Sequence, residues 1–80
     1  MTFPRRLPPI LIDIDAIVRQ RLTDTANGIF KAIGINPARA WCNAMVLAIF
    51  QEVENKRLSW EGFRRRCENL AILNPGLCHA

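Results

Sequence analysis

Hydrophobic positions in the first half of the chain recur with the spacing of a helix. Between residues 13 and 33 they follow the i, i+3/i+4, i+7 rule, which places them on one helical face. This stripe consists of Ile14, Ile17, Val18, Leu22, Thr25, Ile29, Ala32 and Ile33. Asp13 is a suitable N-cap and Gly34 a suitable residue to end the helix. The pattern therefore predicts a first helix over residues 13–33 that turns this stripe toward the core.

The central segment, residues 37–55, is apolar around most of its perimeter. Asn36 can act as an N-cap and Pro37 suits the first helical position, so we expect a helix to begin here. The seven residues 44–50 are all apolar, and at roughly 100° per residue they cover nearly two turns. A helix that is apolar on every side needs neighbours on every side. We predict a second helix over residues 37–55, with more apolar surface than the rest of this chain can cover.

A third helix is predicted over residues 59–71. Ser59 is a favourable N-cap, and the apolar residues after it recur at helical spacing. They are Trp60, Phe63, Cys67, Leu70 and Ala71. Pro75 and Gly76 indicate a turn after this helix, and residues 77–80 are expected to fray. The predicted fold is all-α: one three-helix domain over residues 13–74, followed by a tail over residues 75–80.

Residues 1–12 are predicted to form an arm rather than a helix. Three prolines, Pro4, Pro8 and Pro9, favour extended backbone geometry. The arm also carries apolar side chains that are worth burying, namely Phe3, Leu7, Ile10, Leu11 and Ile12. Two interpretations stay open: a strap across the protein's own core, or an arm that reaches onto a partner subunit.

Self-association follows from the apolar excess of the central segment. A chain of 80 residues is marginal for a stable core without disulfides, a metal or oligomerisation. The residues predicted at the contact are Phe30, Met45, Leu47 and Phe50. The sequence therefore favours a small protein–protein interaction module, homodimeric or bound to a protein partner, without catalytic activity.

The positive charges supply an alternative function. The net charge is +4, which permits acidic partners without demanding them. Arg64, Arg65 and Arg66 on the third helix, joined by Lys56 and Arg57, could contact phosphates in a small nucleic-acid-binding regulator. Three consecutive arginines on a helix spread over roughly 200°, however. Glutamates at i, i+4 spacing, at positions 61 and 68, favour a solvated surface instead.

A helix–turn–helix interpretation would use residues 37–71, with the helix after Ser59 as the recognition helix. The turn over residues 55–58 has a fitting length. The predicted preceding helix is about twice as long as that motif usually has. The first turn of this recognition helix, residues 60–63, also lacks the Arg, Asn or Gln that contact base edges.

Catalytic and metal-binding patterns are missing from the sequence. The one histidine, His79, lies near the end of the chain, there is no tyrosine, and the four glycines stand apart. We therefore expect no enzyme, no cofactor and no metal site, since Cys67, Cys78 and His79 match no ligand spacing. Three cysteines are an odd number and are interpreted as buried, reduced thiols of a cytoplasmic protein. The apolar runs are too short for a membrane span or a signal peptide.

Overall fold

The computed structural model describes residues 14–78. Four α-helices follow one another in this part of the chain: α1 (Ile14–Ala32), α2 (Pro37–Ala40), α3 (Ala44–Glu54) and α4 (Trp60–Leu73), and a short 3₁₀-helix (Pro75–Leu77) ends it. An isolated bridge joins Ile35 to Cys78. The all-α class is confirmed. The predictions for the N-terminal arm, for Asp13 as a cap and for His79 concern residues outside the described range.

The prediction of one helix over residues 37–55 is wrong, because the segment forms two helices. Asn43 separates α2 from α3 in an extended conformation, with φ −91° and ψ 123°. Its side-chain oxygen accepts hydrogen bonds from the backbone N–H groups of Met45 at 2.8 Å and Val46 at 3.3 Å. A short amide side chain competes with the helical backbone in this way, and the competition is strongest where a cap can form. Asn43 therefore starts a new helix where a helix interior was expected.

The other predicted helix ends agree closely with the structure. Asn36 caps α2 by accepting from the Ala38 N–H at 3.0 Å, and Ser59 caps α4 by accepting from the Gly62 N–H at 3.1 Å. Gly34 follows α1 with φ 82°, the left-handed conformation that ends many helices. α4 continues to Leu73, two residues past its predicted end at residue 71.

Five aromatic rings form a closed circuit at the centre of the core. They are Phe30, Trp41, Phe50, Trp60 and Phe63. The centroid distances are 5.3 Å for Phe30–Trp41, 5.0 Å for Trp41–Phe50, 6.5 Å for Phe50–Trp60, 5.3 Å for Trp60–Phe63 and 5.6 Å for Phe30–Phe63. Several pairs meet edge to face, a geometry that adds about 0.5–1.5 kcal/mol to the effect of burial. This circuit joins α1, α3, α4 and the α2–α3 junction around one core.

The face of α1 that packs on the core differs from the predicted face by one residue position along the helix. The fully buried residues of α1 are Ala26 and Phe30, whereas Thr25 and Ala32 are exposed. Leu22, Ile29 and Ile33, which we did predict, pack against the core as half-buried residues. The difference arises because Phe30 offers more apolar area than Thr25, so the helix turns its aromatic ring inward.

The first turns of α1 extend past the end of α3. Arg19 forms an ion pair with Glu54 at 3.1 Å, and Asn27 accepts a hydrogen bond from the Trp41 indole at 2.8 Å, so α1 runs antiparallel to α3. With 19 residues against 11, α1 is longer by about 12 Å at 1.5 Å per residue. Residues 14–18 are named here the α1 overhang. Its large apolar side chains, Ile14, Ile17 and Val18, are exposed, so the prediction that they are buried is wrong.

The segment after α4 is packed, in contrast to the fraying that was predicted from residue 77. Leu77 is buried, and its carbonyl accepts a hydrogen bond from the Asn36 N–H at 2.8 Å. The Arg39 guanidinium donates to the Gly76 carbonyl at 2.9 Å. These bonds hold residues 75–78 against α2, so this part of the predicted tail belongs to the domain.

Candidate interaction surface

The apolar perimeter of α3 is divided between the core and the surface. Its buried residues are Val46, Ile49, Phe50 and Val53. Its exposed residues, named here the α3 face, are Ala44, Met45, Leu47, Ala48 and Gln51. Met45 is 59% exposed and Leu47 is 41% exposed. Because these five positions follow the i, i+3, i+4 spacing, they form one continuous and uncharged surface.

Two of the four residues predicted at a contact lie on this surface, and two do not. Met45 and Leu47 belong to the α3 face. Phe30 is 0% exposed and Phe50 is 6% exposed, so the prediction that they form an interface is wrong. Both rings belong to the aromatic circuit of the core. Their large apolar area is buried within the chain itself, and only an edge of Phe50 reaches the surface, in a groove with Leu47.

A shallow groove between α1 and α3 connects the α3 face with the α1 overhang. One part of the groove is lined by Leu47, Gln51 and Glu54 on α3 and by Arg19 on α1. The next part shares Arg19 and Glu54 and continues to Asp15, Val18, Leu22 and Asn55. The Arg19–Glu54 ion pair therefore lies between two apolar surfaces, of which only the one on α3 was predicted from the sequence.

The basic residues do not gather into one surface. Arg64 lies 3.8 Å from Glu68, and Arg57 lies 3.9 Å from Glu52. These pairs are exposed, so each contributes little to stability. Arg64 and Arg65 line one groove together with Glu61 and Glu68, where two positive and two negative charges cancel. Arg66 lies on the other side of α4, in a groove with Glu52 and Met45.

The helix–turn–helix geometry changes with the break at Asn43. α3 has 11 residues, so the helix before the turn is no longer too long for that motif. Lys56 lies in the turn with φ 61°, a left-handed conformation. At the start of α4, Phe63 is buried and Trp60 is half-buried in the aromatic circuit. The first turn of α4 therefore presents little to a nucleic acid beyond Glu61.

The cysteines differ in exposure. Cys67 is fully buried in α4, and this burial raises the pKa of its thiol from 9.0 to about 11. Cys78 is half-buried, while Cys42 is exposed, so the expectation that all three are buried is wrong for Cys42. All three are free thiols. Within residues 14–78 no three potential ligands among His, Cys, Asp and Glu come together as a metal site would require.

Comparison with known proteins adds no family to this description. No family model, no curated protein and no solved structure matches the sequence. Among the helices of residues 14–78, none combines the length and the apolar character that crossing a membrane requires.

Proposed function

We propose that the protein is a non-catalytic interaction module that forms a homodimer through the α3 face. The observation that supports this proposal is the exposure of Met45 and Leu47 on an uncharged helical surface, between Ala44 and Ala48. Large apolar residues that lie scattered on a surface need no explanation, but a continuous apolar face on one helix is typical of an interaction site.

A second copy of the chain is the partner that the charges favour. The two acidic residues of α3, Glu52 and Glu54, lie in its last turns, where they pair with Arg57 and Arg19. Its first turn carries no acidic residue, and none of the α3 face is charged. Two copies can therefore bring Leu47 together with its counterpart while Arg66, which lines a groove with Met45 and Ala48, stays in solvent at the edge of the contact, since a buried unpaired charge would oppose association strongly.

Analytical ultracentrifugation of a Leu47→Glu variant tests the proposal. We expect the wild-type chain to sediment as a dimer and Leu47→Glu as a folded monomer, because a charge is introduced into the contact. Ile72→Glu is the matched control, since Ile72 is 76% exposed on α4 and lies outside the α3 face. A wild-type monomer, or a Leu47→Glu variant that remains dimeric, would show that the proposal is wrong. Phe50→Glu is unsuitable, because it would disrupt the core.

Nucleic-acid binding is a second candidate function. The observation that favours it is the short α3, which together with the turn over residues 55–59 and α4 gives helix–turn–helix proportions. Lys56, Arg57, Arg64, Arg65 and Arg66 would contact phosphates. Binding to duplex DNA should then weaken with salt with a slope that counts those contacts. A wild-type affinity that is flat with salt, or unchanged in an Arg65→Ala/Arg66→Ala variant, would contradict this function.

A further inference from the structure

We infer that the α1 overhang packs against the N-terminal half of α3 in a second copy of the chain, in an antiparallel dimer. The inference rests on the proposed homodimer and adds a second contact and an orientation to it. The overhang presents Ile14, Ile17 and Val18, of which Ile14 is 71% exposed. Ile17 is 45% exposed and Val18 is 49% exposed.

The geometry of α1 and α3 brings the overhang toward the partner. The overhang lies past the C-terminal end of α3, beside Glu54 and Asn55. In an antiparallel pair of α3 helices, the N-terminal end of the partner's helix comes to this position. Leu47 and Ala48 then lie near the two-fold axis, because they are at the centre of the α3 face. The groove through the Arg19–Glu54 ion pair links the two apolar surfaces of each chain.

The charges select the antiparallel orientation. A parallel pair would place the C-terminal ends of the two α3 helices side by side, where the helix dipoles repel. The antiparallel pair separates these two ends. It also brings Asp15 of the overhang toward the first turn of the partner's α3, which has no acidic residue of its own. A carboxylate is favourable at a helix N-terminus.

The area needed for a stable dimer supports the same arrangement. Standard protein interfaces bury about 800 Å² on each partner. α3 has 11 residues and is about 16 Å long, and its face offers two large exposed apolar side chains, Met45 and Leu47. The overhang adds Ile14, Ile17 and Val18 and so raises this number from two to five. The α3 face alone is small for a stable contact, and the overhang enlarges the apolar surface that a second copy can cover.

Disulfide trapping between differently labelled chains tests the contact. One full-length chain carries Val18→Cys with Cys42→Ser and Cys78→Ser, and the second keeps Cys42 with Cys78→Ser. Cys42 is exposed directly before the α3 cap and belongs to the end of α3 that should meet the overhang. Cys67 remains in both chains, since it is buried. Circular dichroism establishes that each variant is folded.

We expect a disulfide between position 18 of one chain and position 42 of the other under mild oxidation. Two thiols that the dimer holds next to each other have effective concentrations in the millimolar range. The bond should therefore form on the order of a hundredfold faster than between free chains at micromolar concentration. The control pairs the Val18→Cys chain with an Ile72→Cys chain that lacks Cys42 and Cys78. A third chain, Ala48→Cys in the same background, should cross-link to its own copy near the axis.

The outcomes separate the inference from the proposed dimer. Cross-linking at position 48 without an 18–42 bond faster than the control would leave the dimer and overturn the overhang contact. Rapid cross-linking of Cys42 to its own counterpart would overturn the antiparallel orientation. Monomeric chains without any cross-link would overturn both. An intrachain disulfide in a Leu7→Cys/Val18→Cys chain, formed in preference to the 18–42 bond, would assign the overhang to the chain's own N-terminal segment and overturn the contact.

Discussion

Replacing Asn43 by Ala is expected to destabilise the fold by about 1 kcal/mol, the usual effect of losing an N-cap side chain. The Asn43 amide oxygen accepts two backbone hydrogen bonds, at 2.8 and 3.3 Å, from the first turn of α3. Alanine leaves both donors to water. For a domain of this size, 1 kcal/mol corresponds to a decrease in melting temperature of about 4–8 °C.

Urea unfolding followed by circular dichroism measures this effect, with two matched variants. Asn43→Ser keeps a capping oxygen, so its midpoint should lie close to that of the wild type. Asn36→Ala removes a cap that accepts a single hydrogen bond, at 3.0 Å, and starts a helix of four residues, so its effect should be smaller. Equal midpoints for Asn43→Ala and wild type, or equal losses for Asn43→Ala and Asn43→Ser, would refute capping as the reason for the break between α2 and α3.

Three further substitutions test the core. Phe30→Ala should reduce the free energy of unfolding by about 3–5 kcal/mol in urea titrations, because it leaves a cavity in the aromatic circuit. A double-mutant cycle of Trp41→Phe and Asn27→Ala should give a coupling of about 1 kcal/mol from their 2.8 Å hydrogen bond. The Cys67 thiol has its pKa raised from 9.0 to about 11, so the folded chain retains a proton that the unfolded chain releases. Stability should therefore fall as pH rises from about 9 to about 11, and Cys67→Ala should lack this part of the decline.

The helix ends were predictable from sequence wherever one residue type had a single role. Pro37 after Asn36 favours the start of a helix, and Gly34 adopts the left-handed conformation that ends one. Asn43 was misjudged because an asparagine tolerates both a helix interior and a cap. The side chain settles this choice by accepting hydrogen bonds from the backbone of Met45 and Val46. The spacing of apolar residues along the chain gives no information about these bonds.

The choice of core face on α1 could not be made from spacing alone. Apolar residues occupy two neighbouring stripes of this helix, one with Thr25 and Ile29 and the other with Ala26 and Phe30. Which stripe turns inward depends on what the neighbouring elements offer. Here Trp41 and Phe63 provide ring edges and faces for Phe30. The same choice removed Phe30 from the surface and made this predicted contact residue part of the core.

The α1 overhang is set by the place where α3 ends and not by the break at Asn43. The break shortens the predicted second helix at its N-terminal end. The overhang lies at the opposite end of α3, past the Arg19–Glu54 ion pair, because the two helices run antiparallel. At that end α3 stops, and the turn over residues 55–59 leads into α4. This turn therefore sets how far α1 extends past α3, and it leaves Ile14 71% exposed as apolar surface that a partner chain can cover.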